Sequence, residues 1–156
     1  MTTRSFGAAG FLLFSVVSCA VYSKQQPVEG DKAVAMAYVK AWNQHDSVAI
    51  DTLLARTGVH EDVAQNFRGD SKAVVKFIHG LIASQPDFKW TVNNSLEDGQ
   101  NVVLEWTWTA TYTGPDPMGK KVTGRHISGK GSSIVELDNG KIKRFTDYYD
   151  AASFFR

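Results

Sequence analysis

The chain has 156 residues, of which 43% are apolar and 21% are charged, and its formal net charge is +1. That length suits one globular domain with its own hydrophobic core. The balanced charge and the lack of a basic run argue against a nucleic-acid-binding protein.

Residues 1–19 have the pattern of a signal peptide. Arg4 precedes an apolar run at residues 6–17, which is shorter than the stretch of about 20 residues that spans a membrane as a helix. The segment ends in "VVSC", and Cys19 is the only cysteine in the chain. This ending resembles the lipobox of bacterial lipoproteins, in which the cysteine becomes the lipid-bearing first residue after cleavage. A plain secretory cleavage after Ala20 is the alternative.

Either cleavage predicts a mature protein that works outside the cytoplasm and touches a membrane only through a lipid anchor at Cys19. A single cysteine excludes a disulfide within the chain. Residues 20–31 are polar and contain a proline, so we interpret them as a linker to one domain of residues 32–156. That domain shows no repeat and no low-complexity segment.

Three segments with helical spacing of apolar residues open the domain. The first, "DKAVAMAYVKAWNQHD", has Asp31 as a candidate N-cap. Its predicted apolar stripe consists of Val34, Tyr38, Ala41 and His45. Asp46 is positioned to cap a second, short helix that ends at Leu54. The third segment, "GDSKAVVKFIHGLIAS", begins at Asp70 or Ser71. Its predicted stripe consists of Val74, Phe77, Ile78 and Leu81.

From residue 88 onward the apolar residues alternate with polar ones, which indicates β-strands. "EDGQ" predicts a turn between the first two strands, and the second strand carries on one face Val102, Leu104, Trp106, Trp108, Ala110 and Tyr112. "TGPDPMGKK" predicts a loop, followed by a strand over residues 122–137 with a bulge at "GKG", residues 129–131. "DNG" predicts the turn into a last strand, after which Asp150 is expected to cap a helical turn.

These elements predict an α+β fold, a cone-shaped roll in which three N-terminal helices pack on a strongly curved antiparallel sheet. Alternation along the last strand, "GKIKRFTDYYD", puts Phe145, Asp147 and Tyr149 on one face. Burying an uncompensated carboxylate among aromatic rings is costly. We therefore expect Asp147 to face a cavity in which the acid has a function.

The element order and four local segments resemble the nuclear transport factor 2-like superfamily, and within it the SnoaL-like polyketide cyclases. The segments are "AYVKAWNQHD", "FRGDSKAVVKFIHGL", "TGRHISGKGSSIVELDNGKI" and "TDYYD". The resemblance covers residues 32 to 155, and its most specific part is the spacing of an acid seven residues after Gly140.

The resemblance implies roles for several residues. In the cyclases, the acid that matches Asp147 is the general acid/base of an intramolecular aldol closure, whereas the residue that matches Ser133 is a histidine. In the related ketosteroid isomerases, the general base matches Asp62 and an oxyanion-hole tyrosine matches Tyr38. Both reactions need a base with a pKa near the working pH, and an apolar pocket raises the pKa of a carboxyl group toward that value.

The sequence therefore predicts that the domain binds a hydrophobic carbonyl compound, with Asp147 and Asp62 as candidate catalytic residues. The candidate substrate-binding residues are Tyr38, Trp42, His60, Trp106, Trp108, His126, Ser133 and Tyr149. The alternative is a non-catalytic ligand-binding module, or a module that forms a homodimer through its open sheet face. No cofactor and no metal are expected, because the chain has no HxH or HExxH spacing and no phosphate-binding glycine loop.

Export through a lipoprotein signal leads to a direct prediction. Mass spectrometry of the exported protein should find a lipid-modified Cys19 as its first residue. A mature N-terminus at Val21 without a lipid would contradict the lipoprotein hypothesis and support plain secretion.

Overall fold

A computed structural model describes residues 30–114 and 124–152. The predicted signal peptide, most of the linker and the middle of the predicted loop at 115–123 lie outside the described residues, as do residues 153–156. Within them the elements are α1 (Asp31–Gln44), α2 (Ser47–Leu53), β1 (Leu54–Asp62), β2 (Phe67–Gly69), α3 (Ser71–Ser84), β3 (Lys89–Asp98), β4 (Asn101–Tyr112), β5 (Arg125–Asp138) and β6 (Lys141–Tyr149). None of the helices in these ranges has the length and apolar content needed to cross a bilayer.

Three of the four predicted helix caps are confirmed and one is wrong. After β6, the side chain of Asp150 accepts a hydrogen bond from the backbone N–H of Ala152. The side chain of Asp46 accepts a hydrogen bond from the backbone N–H of Ala49 at the start of α2, and Asp70 accepts one from Ala73 at the start of α3. Asp31, by contrast, is the first residue of α1 itself, after Gly30, and no side chain caps that end.

The predicted apolar stripe of α1 is correct except at its end. Val34, Tyr38 and Ala41 are buried, whereas His45 is exposed. His45 follows the last helical residue and has a left-handed backbone with φ of 56°, so its side chain leaves the stripe. The helix therefore buries Trp42 rather than His45 as its last large side chain.

The six strands form one sheet in the order β2-β1-β6-β5-β4-β3. Four of the five pairings are antiparallel as predicted, and β1 pairs with β6 in parallel. A parallel pairing needs a long connection, which α3 and the four intervening strands supply. The α+β arrangement with helices on one face is thus as expected, although the sheet is mixed.

The predicted bulge at residues 129–131 is wrong. The pairing of β4 with β5 runs through this segment without a shift in register. The glycines serve a different purpose, because a Cβ on Gly129 would meet the Trp108 ring and a Cβ on Gly131 would meet the Trp106 ring, both well under 3 Å. Glycine here lets two indoles lie flat over the neighbouring strand.

The inner face of the sheet packs against the helices and carries the aromatic core. Trp90 of β3, Trp106 and Trp108 of β4 and Phe145 of β6 are all buried there. The irregularity in the pairing of β5 with β6 lies beside Ile142, before Phe145 is reached. The alternation from Phe145 to Tyr149 is therefore uninterrupted, and the predicted inward direction of Asp147 is correct.

Candidate active site

Asp147 is a buried carboxylate with partners on both of its oxygens. Its side chain lies on the inner face of β6 and the residue is 5% exposed. Ser133 on β5, its register partner, donates a hydrogen bond of 2.5 Å to Oδ1. Nε2 of His60 lies 3.0 Å from Oδ2. Two neighbouring strands thus compensate the burial of this acid.

His60 connects Asp147 to the helix layer. The residue is fully buried on β1, and its ring stacks on Phe145 with centroids 5.2 Å apart. Nδ1 lies 3.1 Å from the hydroxyl of Tyr38 on α1. The N–H bond at Nε2 does not point at the carboxylate oxygen. The two atoms therefore lie within ion-pair distance but do not form a well-directed hydrogen bond.

The protonation of the Tyr38 hydroxyl bears on where the protons lie between Tyr38, His60 and Asp147. Burial raises the pKa of Tyr38 far above its usual value, so its hydroxyl stays protonated and can donate to Nδ1 of His60. A neutral His60 that accepts at Nδ1 carries its proton on Nε2, the nitrogen that faces Asp147. With Tyr38 as the donor, the Nε2 proton of His60 lies beside the Asp147 carboxylate.

Ser133 links the acid to the aromatic core. The indole N–H of Trp106 donates a 2.7 Å hydrogen bond to Oγ of Ser133, whose hydroxyl in turn donates to Asp147. Chains of this kind polarise one another inside a protein. Ser133 is therefore fully committed as a bridge, and it fixes the carboxylate from the side opposite to His60.

Asp62 stands next to Asp147 on the neighbouring strand. The two residues are register partners in the parallel pairing of β1 with β6, and both are 5% exposed. Oδ1 of Asp62 accepts from the backbone N–H of Gln65 at 2.9 Å. Oδ2 accepts from the hydroxyl of Tyr149 at 2.9 Å and from the side-chain amide of Gln65 at 3.1 Å.

The surroundings of Asp62 and Tyr149 favour their protonated forms. Burial raises the pKa of Asp62 above its usual value, and the nearby Asp147 adds to this effect, while the hydrogen bonds from Gln65 and Tyr149 oppose it. Burial also raises the pKa of Tyr149, with the charge of Asp62 as the next cause. Two carboxylates side by side in an apolar site resist simultaneous ionisation.

Both acids line one cavity of about 40 Å³ between the sheet and α3. The other lining residues are Trp42, Gln65, Phe77, Leu81, Phe88, Trp90, Trp106, Trp108 and Tyr149. One water molecule needs about 10–15 Å³ of such volume, so the cavity has room for about three waters. The predicted sharing of one apolar cavity by Asp62 and Asp147 is thus present.

Most of the predicted binding residues converge on this site. Trp42, Trp106, Trp108 and Tyr149 line the cavity, while Tyr38, His60 and Ser133 lie behind it and hold Asp147 directly or through one neighbour.

His126 is the exception, because it is exposed and points away from the cavity. Its Nδ1 lies 3.2 Å from the hydroxyl of Thr111, which donates to Asp87. Asp87 follows α3, so this group ties the end of that helix to β4. Hydrogen bonds from Thr111 hold the pKa of the Asp87 carboxyl below its usual value. The expectation that His126 contacts a substrate is not supported by its position.

Five residues that line the cavity were not predicted to do so: Gln65, Phe77, Leu81, Phe88 and Trp90. Gln65 could have been found from "DVAQ", because an aspartate at the start of a turn commonly accepts a hydrogen bond from the backbone N–H two or three residues later. The apolar residues gave no separate signal, since packing residues and cavity residues share the same alternation. Within the described ranges, no three metal-binding side chains converge.

Comparison with known proteins gives a consistent result. The sequence profile of the SnoaL-like polyketide cyclases matches residues 32–156. Among solved structures, IdmH from Streptomyces antibioticus, a candidate polyketide cyclase, superimposes with a TM-score of 0.72 at 17% identity, covering 81% of this chain and 96% of IdmH. AclR from Streptomyces galilaeus, a candidate hydroxylase, has a TM-score of 0.67 at 26% identity, covering 80% and 81%.

A third structure, from Catenulispora acidiphila, has a ketosteroid isomerase-like fold and a bound trimethylamine. It superimposes with a TM-score of 0.66 at 18% identity, covering 77% of this chain and 87% of that protein. No curated protein sequence matches the chain significantly.

The raised pKa of Asp62 predicts a specific pH dependence of stability. A carboxyl group with a higher pKa in the folded state stabilises the fold at low pH. This contribution is lost as the pH rises from the pKa of the unfolded state through the pKa of the folded state. We expect the free energy of unfolding of the wild type to fall relative to that of Asp62→Asn as pH rises from about 3.8 toward neutrality. Urea denaturation of both proteins at a series of pH values measures this difference, and parallel curves would contradict it.

Proposed function

Because the chain belongs to the SnoaL-like polyketide cyclase family, we propose that it binds a hydrophobic carbonyl compound and transfers a proton at the carbon next to the carbonyl. The observation that supports this most is the position of Asp147. Its carboxylate is buried, held on two sides, and lines a cavity together with a second acid and four indole rings. Such an acid can accept a proton from carbon without being hydrated.

The proposed step begins with Asp147 in its charged form. Its carboxylate removes a proton from the carbon next to the carbonyl, the C–H electron pair forms a C=C bond, and the carbonyl electrons move to oxygen to give an enolate. If the substrate is a β,γ-unsaturated ketone, the enolate is conjugated with the C=C bond, and return of the proton from Asp147 to the γ carbon completes an isomerisation. Alternatively, the enolate carbon attacks a second carbonyl of the same molecule, and the resulting alkoxide takes the proton from Asp147, which completes an aldol closure.

Asp62, Tyr149 and Gln65 are suited to stabilise the enolate oxygen. Tyr149 and Gln65 lie at the cavity wall and donate to Asp62, and burial raises the pKa of that carboxyl, so a proton taken up by Asp62 would give this group a donor for the enolate oxygen. Donors fixed in a buried site are worth more to a developing oxyanion than donors in water. In this assignment Asp147 moves the proton while Asp62 works through its hydrogen bonds with Tyr149 and Gln65.

The supporting residues have a distinct role. His60 and Ser133 touch Asp147 and orient its carboxylate, and Tyr38 acts through His60. Removing a hydrogen-bond partner so that a buried polar group is left unsatisfied typically costs about 1–3 kcal/mol of stability, and more when that group is charged. We therefore assign Tyr38, His60 and Ser133 as positioning residues, and their loss is expected to damage the fold as well as the activity.

We predict that Asp147→Asn abolishes proton exchange but not binding. The wild type should exchange the methyl protons of 2-acetonaphthone, a flat aromatic ketone, for deuterium in D₂O faster than buffer does, as followed by proton NMR. Asparagine keeps the shape of the side chain but cannot accept the proton, and a positioned base typically contributes about 10²–10⁴-fold to rate. We expect the exchange rate to fall at least about 100-fold, with ketone affinity nearly unchanged.

Asp98→Asn, at an exposed acid next to the turn between β3 and β4, is the matched control and should exchange at the wild-type rate. Ketone binding without exchange in the wild type would contradict catalysis and favour the non-catalytic ligand-binding alternative. Equal exchange by wild type and Asp147→Asn would contradict the assignment of the base.

Export remains a separate proposal that rests on the sequence of residues 1–20. The Arg4 start, the apolar run and Cys19 in "VVSC" support cleavage and lipid attachment. A domain anchored in this way would meet its ligand outside the cytoplasm.

We also propose that two copies pair through the outer face of the sheet. Leu96, Val103 and Ile134 are cross-strand neighbours on this face and are 67%, 37% and 39% exposed. Tyr148 on β6 is also exposed, and it lies two residues after Thr146, the register partner of Ile134. A contiguous apolar patch on a soluble domain commonly marks an interface.

Replacing the centre of this patch should separate the copies. We expect wild type to sediment as a dimer and Ile134→Glu to sediment as a folded monomer, because each copy would bury an unpaired charge in the interface. Val48→Glu, at an exposed apolar position on α2, is the control and should leave the dimer intact. A monomeric wild type in sedimentation equilibrium would contradict the proposal.

A further inference from the structure

A groove on the outside of α3 lies directly beside the cavity with the two acids. One face of α3, with Phe77, Gly80 and Leu81, forms one wall, and Gln65 and Phe67 around the turn between β1 and β2 form the other. The remaining lining residues are Ala73, Lys76, Ser84 and Gln85. Its volume is about 490 Å³.

The groove and the cavity share part of their walls. Gln65, Phe77 and Leu81 line both, so the cavity and the groove meet at these three side chains. The cavity, at about 40 Å³, holds only a carbonyl group and its neighbouring carbons. The groove falls within the range of about 300–1,000 Å³ that is usual for small-molecule sites. A substrate that presents its carbonyl to Asp147 therefore has to place the rest of its body in the groove.

Lys76 gives the groove its charge preference. It is exposed and is the only charged residue among those that line the groove. Among the described residues, the ion pairs do not involve Lys76. It lies five residues before Leu81 on α3, about 7.5 Å along the helix axis from the entrance to the cavity. A negative group on the ligand at that separation would meet this ammonium group.

Gln85 supplies an independent sign that the groove binds a ligand. The residue is 5% exposed, and its side-chain oxygen has no hydrogen-bond partner among the described residues. Buried acceptors in folded proteins are nearly always paired. Gln85 lines the groove at the opposite end from Lys76, where a donor on a ligand could satisfy this oxygen.

We propose that this groove, defined by Lys76, Phe77, Gly80, Leu81 and Gln85, binds the body of the substrate, and that the substrate carries a carboxylate paired with Lys76. The substrate class is then a flat, largely apolar ketone with an acidic group roughly two ring widths from the carbonyl. This inference rests on the proposed proton transfer, because it assumes that the ketone end enters the cavity of Asp147 and Asp62.

The test compares two probes that differ in one charge. 6-Acetyl-2-naphthoic acid and its methyl ester are titrated into the protein and followed by ¹H–¹⁵N NMR, with the Trp106 indole N–H as reporter of the cavity. We expect the acid to bind about two- to fivefold more tightly than the ester, the range that an exposed ion pair supports. Lys76→Gln should remove this preference, and Lys72→Gln, an exposed lysine on the same helix outside the groove, should keep it.

A second variant tests the space rather than the charge. A Cβ on Gly80 meets nothing within 4 Å, so Gly80→Leu is expected to fold and to fill the groove. It should weaken both probes about tenfold, because the apolar body loses its place. His79→Leu, at the exposed neighbouring position of α3, should not.

Equal binding of acid and ester by wild type, equal losses in Lys76→Gln and Lys72→Gln, or no binding of either probe would each overturn the groove proposal. The exchange of 2-acetonaphthone, which has no acidic group, is measured separately. Exchange without a preference for the acid would leave the proposed function intact and refute the groove. A Lys76-dependent preference for the acid without exchange of 2-acetonaphthone would support the groove and refute the proposed proton transfer.

Discussion

The buried contact of His60 with the Asp147 carboxylate is the interaction on which the site depends. It holds an acid in an aromatic core where an isolated charge would be far too costly. Three parts of the fold meet there: β1 brings His60, β6 brings Asp147, and α1 brings the Tyr38 hydroxyl that hydrogen-bonds to the histidine ring. The parallel pairing of β1 with β6 makes this meeting possible, because it sets His60 opposite Phe145 and Asp62 opposite Asp147.

The same pairing divides the two acids into different environments. Asp147 is held by a hydroxyl and an imidazole from neighbouring strands, whereas Asp62 accepts from a turn and from Tyr149. Burial raises the pKa of Asp62, and its unlike partners give it a different task from that of its neighbour. Two titratable groups in contrasting surroundings are the usual basis for an acid and a base in one site. The indoles around them leave little free space in the cavity, which is why we propose that the groove on α3 holds the body of a substrate.

Much of this arrangement could be predicted from the sequence, and the failures have identifiable physical causes. Alternation along the last strand correctly predicted that Asp147 lies on the inner face of the sheet. Local pattern could not show that the first strand pairs with the last, because that contact depends on the whole chain. His126 faces outward on β5, so its position does not support the predicted contact with a substrate. The glycines at 129 and 131, predicted to form a bulge, make room for indoles instead.

A crystal structure with bound 2-naphthol, a planar mimic of an enolate, would test the central claim most directly. The account predicts that the hydroxyl enters the cavity beside Asp62 and Tyr149, with a carboxylate oxygen of Asp147 facing the adjacent ring carbon and the rest of the ring system in the groove on α3. His60 and Ser133 should keep their contacts with Asp147 in that complex. Electron density for the ligand elsewhere, or an Asp147 side chain turned away from the ring, would contradict it.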